Sequence, residues 1–122
     1  MSGNRLVSDT NVLIYLLKGD EKAAKILNQK EIYISVISEI ELLGFRNSSV
    51  QEVNSIKKLL SDCNIVDLNN IIKELAIELK RNYNLKTPDA IICATSRFLN
   101  IPLATSDSKL TKIDQINIFY YE

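Results

Sequence analysis

Short β-rich runs alternate with amphipathic helical stretches along this 122-residue chain. No other feature narrows the fold as far. Leu6 and Val7 read as the end of a buried strand, and Asp9 then caps a helix from Thr10 to Leu17 that stops at Gly19. Glu21 to Gln29 reads as a short helix with Ala23, Ala24 and Leu27 on one face. A strand follows from Ile32 to Val36, and Ser38 opens the next helix. After a break at Arg46 to Ser49, Val53, Ile56, Leu59 and Leu60 recur at helical spacing within Val50 to Leu60. Asn64 to Leu68 is a third strand. Ile71, Ile72, Leu75, Ala76, Leu79 and Tyr83 make a helical stripe. Thr87 and Pro88 open another helix, with proline at its first position. Pro102 to Asp107 is a strand with its exit, and Ile116 to Tyr121 is the last strand. Such alternation predicts an α/β domain with a mostly parallel sheet of four or five strands. Right-handed crossovers bring successive strand exits to one edge, and ligands bind at that carboxyl edge where strand order reverses.

The length suggests one domain spanning residues 1–122. At 46% apolar and 25% charged residues, the composition is that of a globular protein. The formal net charge of zero argues against broad electrostatic capture of nucleic acid, though not against a local basic rim. The longest apolar run, Val12 to Leu17, is too short for a membrane span, and no signal peptide is visible. Cys63 and Cys93 match no zinc spacing and read as buried or half-buried thiols of a reducing, cytoplasmic setting. The chain contains no histidine. That excludes a Ser-His-Asp triad, a histidine-paired thiol, histidine acid–base chemistry and a histidine zinc site.

Four acids stand where helices begin. Asp9 follows the first strand, Glu41 lies one turn into the helix after the second, Asp89 is in the first turn after Thr87, and Asp107 ends the strand from Pro102. Each has a local explanation. Asp9 and Asp107 are possible caps, Ser38 and Glu41 fit a capping box, and Asp89 complements a helix dipole. Together at one edge they would repel one another and hold protons unless a cation sat between them. Hard oxygen ligands suit Mg²⁺ or Mn²⁺. The hydroxyls of Ser8, Thr10, Thr105 and Ser106 and the amide of Asn11 are available to orient such carboxylates. Spacing alone does not exclude Asp67, which also ends a strand.

The segments "VSDTNVLIYLL", "ISEIELLGF", "TPDAIICATS" and "LATSD", in this order and spacing, resemble the PIN domain, and most closely the short VapC-type toxin ribonucleases. The resemblance spans nearly the whole chain. It implies a three-layer α/β/α fold with sheet order 3-2-1-4-5, which puts Asp67 at the sheet margin. The acid set it implies is Asp9, Glu41, Asp89 and Asp107, holding one or two Mg²⁺ or Mn²⁺ ions for hydrolysis of RNA to 5′-phosphate and 3′-hydroxyl ends. A cognate antitoxin and a homodimer are implied as partners. Ser106 and Lys109 depart from the family pattern, where asparagine and a further acid are common. Lys86 and Lys109, which flank acids of the set, are the substrate-binding expectations within a rim that includes Lys18, Lys80, Arg81 and Arg97. Tyr15, Tyr83 and Phe45 are assigned to the core or a subunit contact.

Two other classes compete. An aspartyl phosphoryl-transfer domain would want a second acid two residues after Asp9, where Asn11 stands. A non-catalytic PIN-like binding module would not need all four acids.

Overall fold

The computed structural model describes residues 4–120. The elements in chain order are β1 (Arg5–Ser8), α1 (Thr10–Leu17), α2 (Glu21–Leu27), β2 (Glu31–Ser35), α3 (Val36–Leu43), α4 (Val50–Ser61), β3 (Asn64–Val66), α5 (Asn70–Tyr83), α6 (Thr87–Leu99), β4 (Leu103–Thr105), a 3-10 turn (Ser108–Lys112) and β5 (Ile118–Tyr120). Five parallel strands form one sheet in the order β3-β2-β1-β4-β5.

Alternation along the strands sorts the core into two halves, because successive side chains point to opposite faces. Leu6, Ile32, Ile34 and Ala104 pack with Val12, Leu13, Ala23, Leu42, Ile56 and Leu60, so α1 to α4 cover one face. Val7 and Leu103 pack with Ile72, Leu79, Ile91 and Ile92, so α5 and α6 cover the other. The result is the expected three-layer arrangement. Strand order reverses between β1 and β4, where Ser8 pairs with Ala104 and the Asp9 amide donates to the Ala104 carbonyl at 2.9 Å.

Several sequence expectations shift. Helix α3 begins at Val36, capped by the Ser35 hydroxyl, so Ser38 lies inside the helix and does not start it. The capping box belongs to α4, where Ser49 and Glu52 bond reciprocally. Thr87 is the first residue of α6 and Pro88 the second, a first-turn position where the missing amide hydrogen costs nothing. Helix α2 ends at Leu27, and Ala24 faces solvent. The strands Asn64–Val66 and Ile118–Tyr120 are shorter than predicted, and Tyr121 lies outside the described residues.

Candidate active site

Asp9 leaves β1 in extended geometry at the head of α1, but its carboxylate does not close the helix cap. It turns instead toward β4, where the Thr105 hydroxyl donates to Asp9 Oδ2 at 2.7 Å. The Asp107 amide donates to the same Thr105 oxygen at 3.0 Å, which fixes the hydroxyl's direction. Asp9 is only 5% exposed. This buried carboxylate at a strand exit is held first by a residue 96 positions away and then by the adjacent Thr10 amide.

Glu41 is positioned by a similar relay. Thr10 Oγ1 donates to Glu41 Oε1 at 2.7 Å and lies 2.8 Å from Ser38 Oγ. A threonine hydroxyl carries one proton. With that proton on Glu41, Ser38 is the donor to Thr10. Ser38 is fully buried, and the sequence assigned it only to a cap. The pattern S-x-x-E was visible, but its meaning depended on Thr10, which lies 28 residues upstream of Ser38.

Asp9, Glu41 and Asp89 line one cleft of about 320 Å³, with Thr10, Asn11, Ile14, Phe45 and Ile92. Asp107 stands on the adjoining turn. Its Oδ1 accepts from the Lys109 amide at 2.9 Å, so the expected capping role is met. The charge of Asp107 nevertheless reaches the cleft. Asp9 holds its proton above the usual carboxylate range, first because it is buried and then because Asp107 and Glu41 repel its charge; the Thr105 hydroxyl and the Thr10 amide oppose this. Asp89 is raised by burial, then by Asp9, Asp107 and Glu41, with Lys86 pulling the other way. Burial and the charges of Asp89, Asp9 and Asp107 push the Cys93 thiol up to about 12, so it stays neutral. Both cysteines are free, Cys93 buried and Cys63 half-buried.

Among the described residues, none of the four acids pairs with a lysine or arginine at salt-bridge distance; the Arg5–Glu31 pair lies at the start of β1 and β2. Nor do three of them close into a ready cage around one point. Like charges without a counterion are expected to stand apart in this way. The donor set consists of carboxylates with supporting hydroxyls and no nitrogen or sulfur donor on the cleft wall. That chemistry fits a hard divalent cation such as Mg²⁺ or Mn²⁺.

The remaining expectations divide. Thr10 and Thr105 support the acids directly. Ser8 donates to the Asp9 backbone carbonyl, not to its carboxylate. Asn11 lines the cleft, and Ser106 follows Thr105 half-buried. Lys86 is exposed at the head of α6 and Lys109 at the 3-10 turn. Asp67 is exposed after β3, the marginal strand. Asp114 accepts the Tyr83 hydroxyl at 2.8 Å. Tyr83 packs against the core as expected and Tyr15 is 36% exposed, but Phe45 is 51% exposed and lines the acid cleft. The signal for it was its place just beyond Gly44, at the end of the helix that carries Glu41.

Comparison with known proteins agrees with this geometry. The PIN domain family pattern matches residues 6–116. Ribonuclease VapC2 of Methanocaldococcus jannaschii is 30% identical, over 97% of this chain and 95% of its own length. Ribonuclease VapC6 of the same organism is also 30% identical, over 97% and 98%. Among solved structures, a toxin–antitoxin complex from Klebsiella pneumoniae contains a chain with a TM-score of 0.84 and 30% identity, covering 96% of this chain and 98% of that one. VapBC2 from Rickettsia felis, bound to a DNA fragment from its promoter, matches at 0.84 with 20% identity, covering 97% and 99%. With near-complete coverage in sequence and in structure, and with VapC ribonucleases as its homologues, the chain belongs to the PIN domain family.

Proposed function

We propose that this chain is a divalent-metal-dependent endoribonuclease, the toxin of a toxin–antitoxin pair, working as one PIN unit over residues 1–122. The observation that carries the reading is unbalanced charge. Asp9 and Asp89 are half-buried or deeper, repelled by Glu41 and Asp107, and line a cleft in which no cation among the described residues pairs with them. The VapC relatives lend the reaction class.

In this reading Asp9, Asp89 and Asp107 hold one or two Mg²⁺ or Mn²⁺ ions. When bound, the metal would neutralise charge on the scissile phosphate and lower the pKa of the attacking water. Thr105 keeps the Asp9 carboxylate aimed across the β1–β4 crevice. Glu41, tethered through Thr10, orients the water and accepts its proton. Lys86 and Lys109, on either side of the acids, attract the flanking phosphates. Asn11 lines the cleft, and Ser106, next to Thr105, is proposed as a further hydroxyl near Asp9. The neutral Cys93 thiol takes no part as a nucleophile.

No described helix is long and apolar enough to cross a membrane. Together with two free thiols this supports a cytoplasmic setting. An antitoxin partner is part of the proposal, supported by the toxin–antitoxin complex whose chain is 30% identical to this one, and a homodimer is proposed with it. The test is sequencing of RNA ends after incubation with purified protein and Mg²⁺, with Asp9→Asn as control. Cuts leaving 5′-phosphates, absent with the variant and with chelator, support the proposal. Intact RNA, or equal cutting by Asp9→Asn, overturns it.

A further inference from the structure

The acid cleft has two unlike kinds of lining residue. Asp9, Glu41 and Asp89 line it together with the apolar side chains of Phe45, Ile14 and Ile92, and Phe45 and Ile14 continue into an adjoining apolar pocket with Leu17 and Leu42. Among the described residues Phe45 is the one aromatic side chain lining the acid cleft, and it belongs to neither core cluster. Half of its surface is open to solvent although it stands beside carboxylates. Local geometry puts it there. Gly44 ends α3, and a Cβ on Gly44 would meet the Ile40 carbonyl oxygen at 2.6 Å, so the chain turns tightly just before Phe45.

A ligand suited to this cleft has an anionic end for the cation-loaded acids and a flat apolar face for the apolar side chains. A nucleotide has both. A cleft of about 320 Å³ lies at the lower end of the range for small-ligand sites, the scale of a single nucleotide. Unpaired bases stack on aromatic side chains, whereas bases inside an A-form helix are out of reach. Resting on the ribonuclease reading, we infer that Phe45 is a stacking platform for the unpaired base next to the scissile phosphate. Phe45 sets affinity and local sequence preference and leaves the chemical step to the acids.

The chain has no tryptophan, so Phe45→Trp introduces a single reporter. It is placed in a Glu41→Gln background, which the proposed roles make unable to cut. A single-stranded RNA octamer in Mg²⁺ should quench this fluorescence saturably, and the same sequence locked in a duplex should not. In the cutting enzyme, Phe45→Ala should raise KM roughly tenfold, the loss of one base–aromatic stack, with little change in kcat. Phe45→Tyr should restore KM to within about twofold, and Phe98→Ala, an exposed aromatic on α6, should change nothing.

Equal quenching by duplex and single strand overturns the platform. So does an unchanged KM in Phe45→Ala while the parent protein still cuts RNA, an outcome that leaves the nuclease reading standing. A fluorescence response to an amphipathic leucine–lysine peptide but not to RNA assigns Phe45 to a protein partner and also overturns it. Quenching by single strands from a parent that cuts no RNA supports the platform and sinks the nuclease reading.

Discussion

The pattern S-x-x-E occurs twice in neighbouring helices with opposite outcomes. At Ser49 and Glu52 the serine hydroxyl accepts the Glu52 amide at 3.0 Å and the glutamate accepts the Ser49 amide at 2.8 Å. Both residues are exposed, and these local bonds hold the Glu52 carboxyl below its usual range. At Ser38 and Glu41 neither bond forms. Ser38 is buried mid-helix and both side chains turn to Thr10, on another helix. One pair satisfies a helix end with its own backbone. The other spends its hydrogen bonds on holding an acid toward a cleft. Glu41, supported by a distant hydroxyl, is left free for a ligand; Glu52, supported by amides at its own helix end, is a cap.

The largest expected contrast is in cleavage. Glu41→Gln should lower the cleavage rate by at least about 100-fold, measured on a labelled single-stranded RNA. Glu52→Gln should leave that rate unchanged in the same assay. Next is the relay itself. Thr10→Val leaves Ser38 without its acceptor and Glu41 without its donor. The buried loss should cost about 1–3 kcal/mol in denaturant unfolding, and activity should fall roughly 10- to 100-fold. If Thr10→Val cuts RNA at the parental rate, the contrast between the two pairs is structural only.

A smaller effect separates the acids by pH. The folded-state pKa of Asp9 is raised above its usual value of 3.8, so the ion-free folded protein holds this proton more tightly than the unfolded chain does. The group therefore favours folding at pH below about 4, and that advantage is lost as pH rises through the raised value. Asp9→Asn should remove the loss. Its melting temperature in chelator should exceed the parent's by a few degrees at pH 7 and by less at pH 4; roughly 1 kcal/mol would produce such a shift. Saturating Mg²⁺ should cancel or reverse the difference, because it stabilises only a protein that binds it. The smallest change is at the local pair. Ser49→Ala should cost about 1 kcal/mol of stability, read by denaturant unfolding, with no change in cleavage.

Much of the fold was legible because it rests on periodicity. The apolar stripe of α5 and the alternation of Leu6 and Val7 each determine which face is buried, and strand–helix alternation makes a parallel sheet the economical solution. Asp9, Asp89 and Asp107 were legible by position, since each ends a strand or opens a helix; Glu41, expected one turn into its helix, lies in the last turn of α3, because that helix begins at Val36 and not at Ser38. What was not legible depends on residues brought together from far apart. Ser38 looked like a helix start because its partner Thr10 is on another element. Phe45 looked like core or a subunit contact, and its exposure excludes the core; solvent exposure at a tight helix exit has no periodic signature. The order of the sheet, and with it the separation of Asp67 from the crevice, came from family resemblance; strand propensity carries no information on which strands are neighbours.

Asp9, Asp89 and Asp107 are proposed to share one cation site, with Glu41 aligning the water beside it. Mn²⁺ binding by titration calorimetry, for the parent and for single Asp9→Asn, Asp89→Asn, Asp107→Asn and Glu52→Gln variants that all remain folded, tests it most directly. The parent and Glu52→Gln should bind alike, while each of the three aspartate variants should lose tenfold or more in affinity. Mn²⁺ binding that survives unchanged in Asp9→Asn and Asp107→Asn, or a parent that binds none, would contradict it.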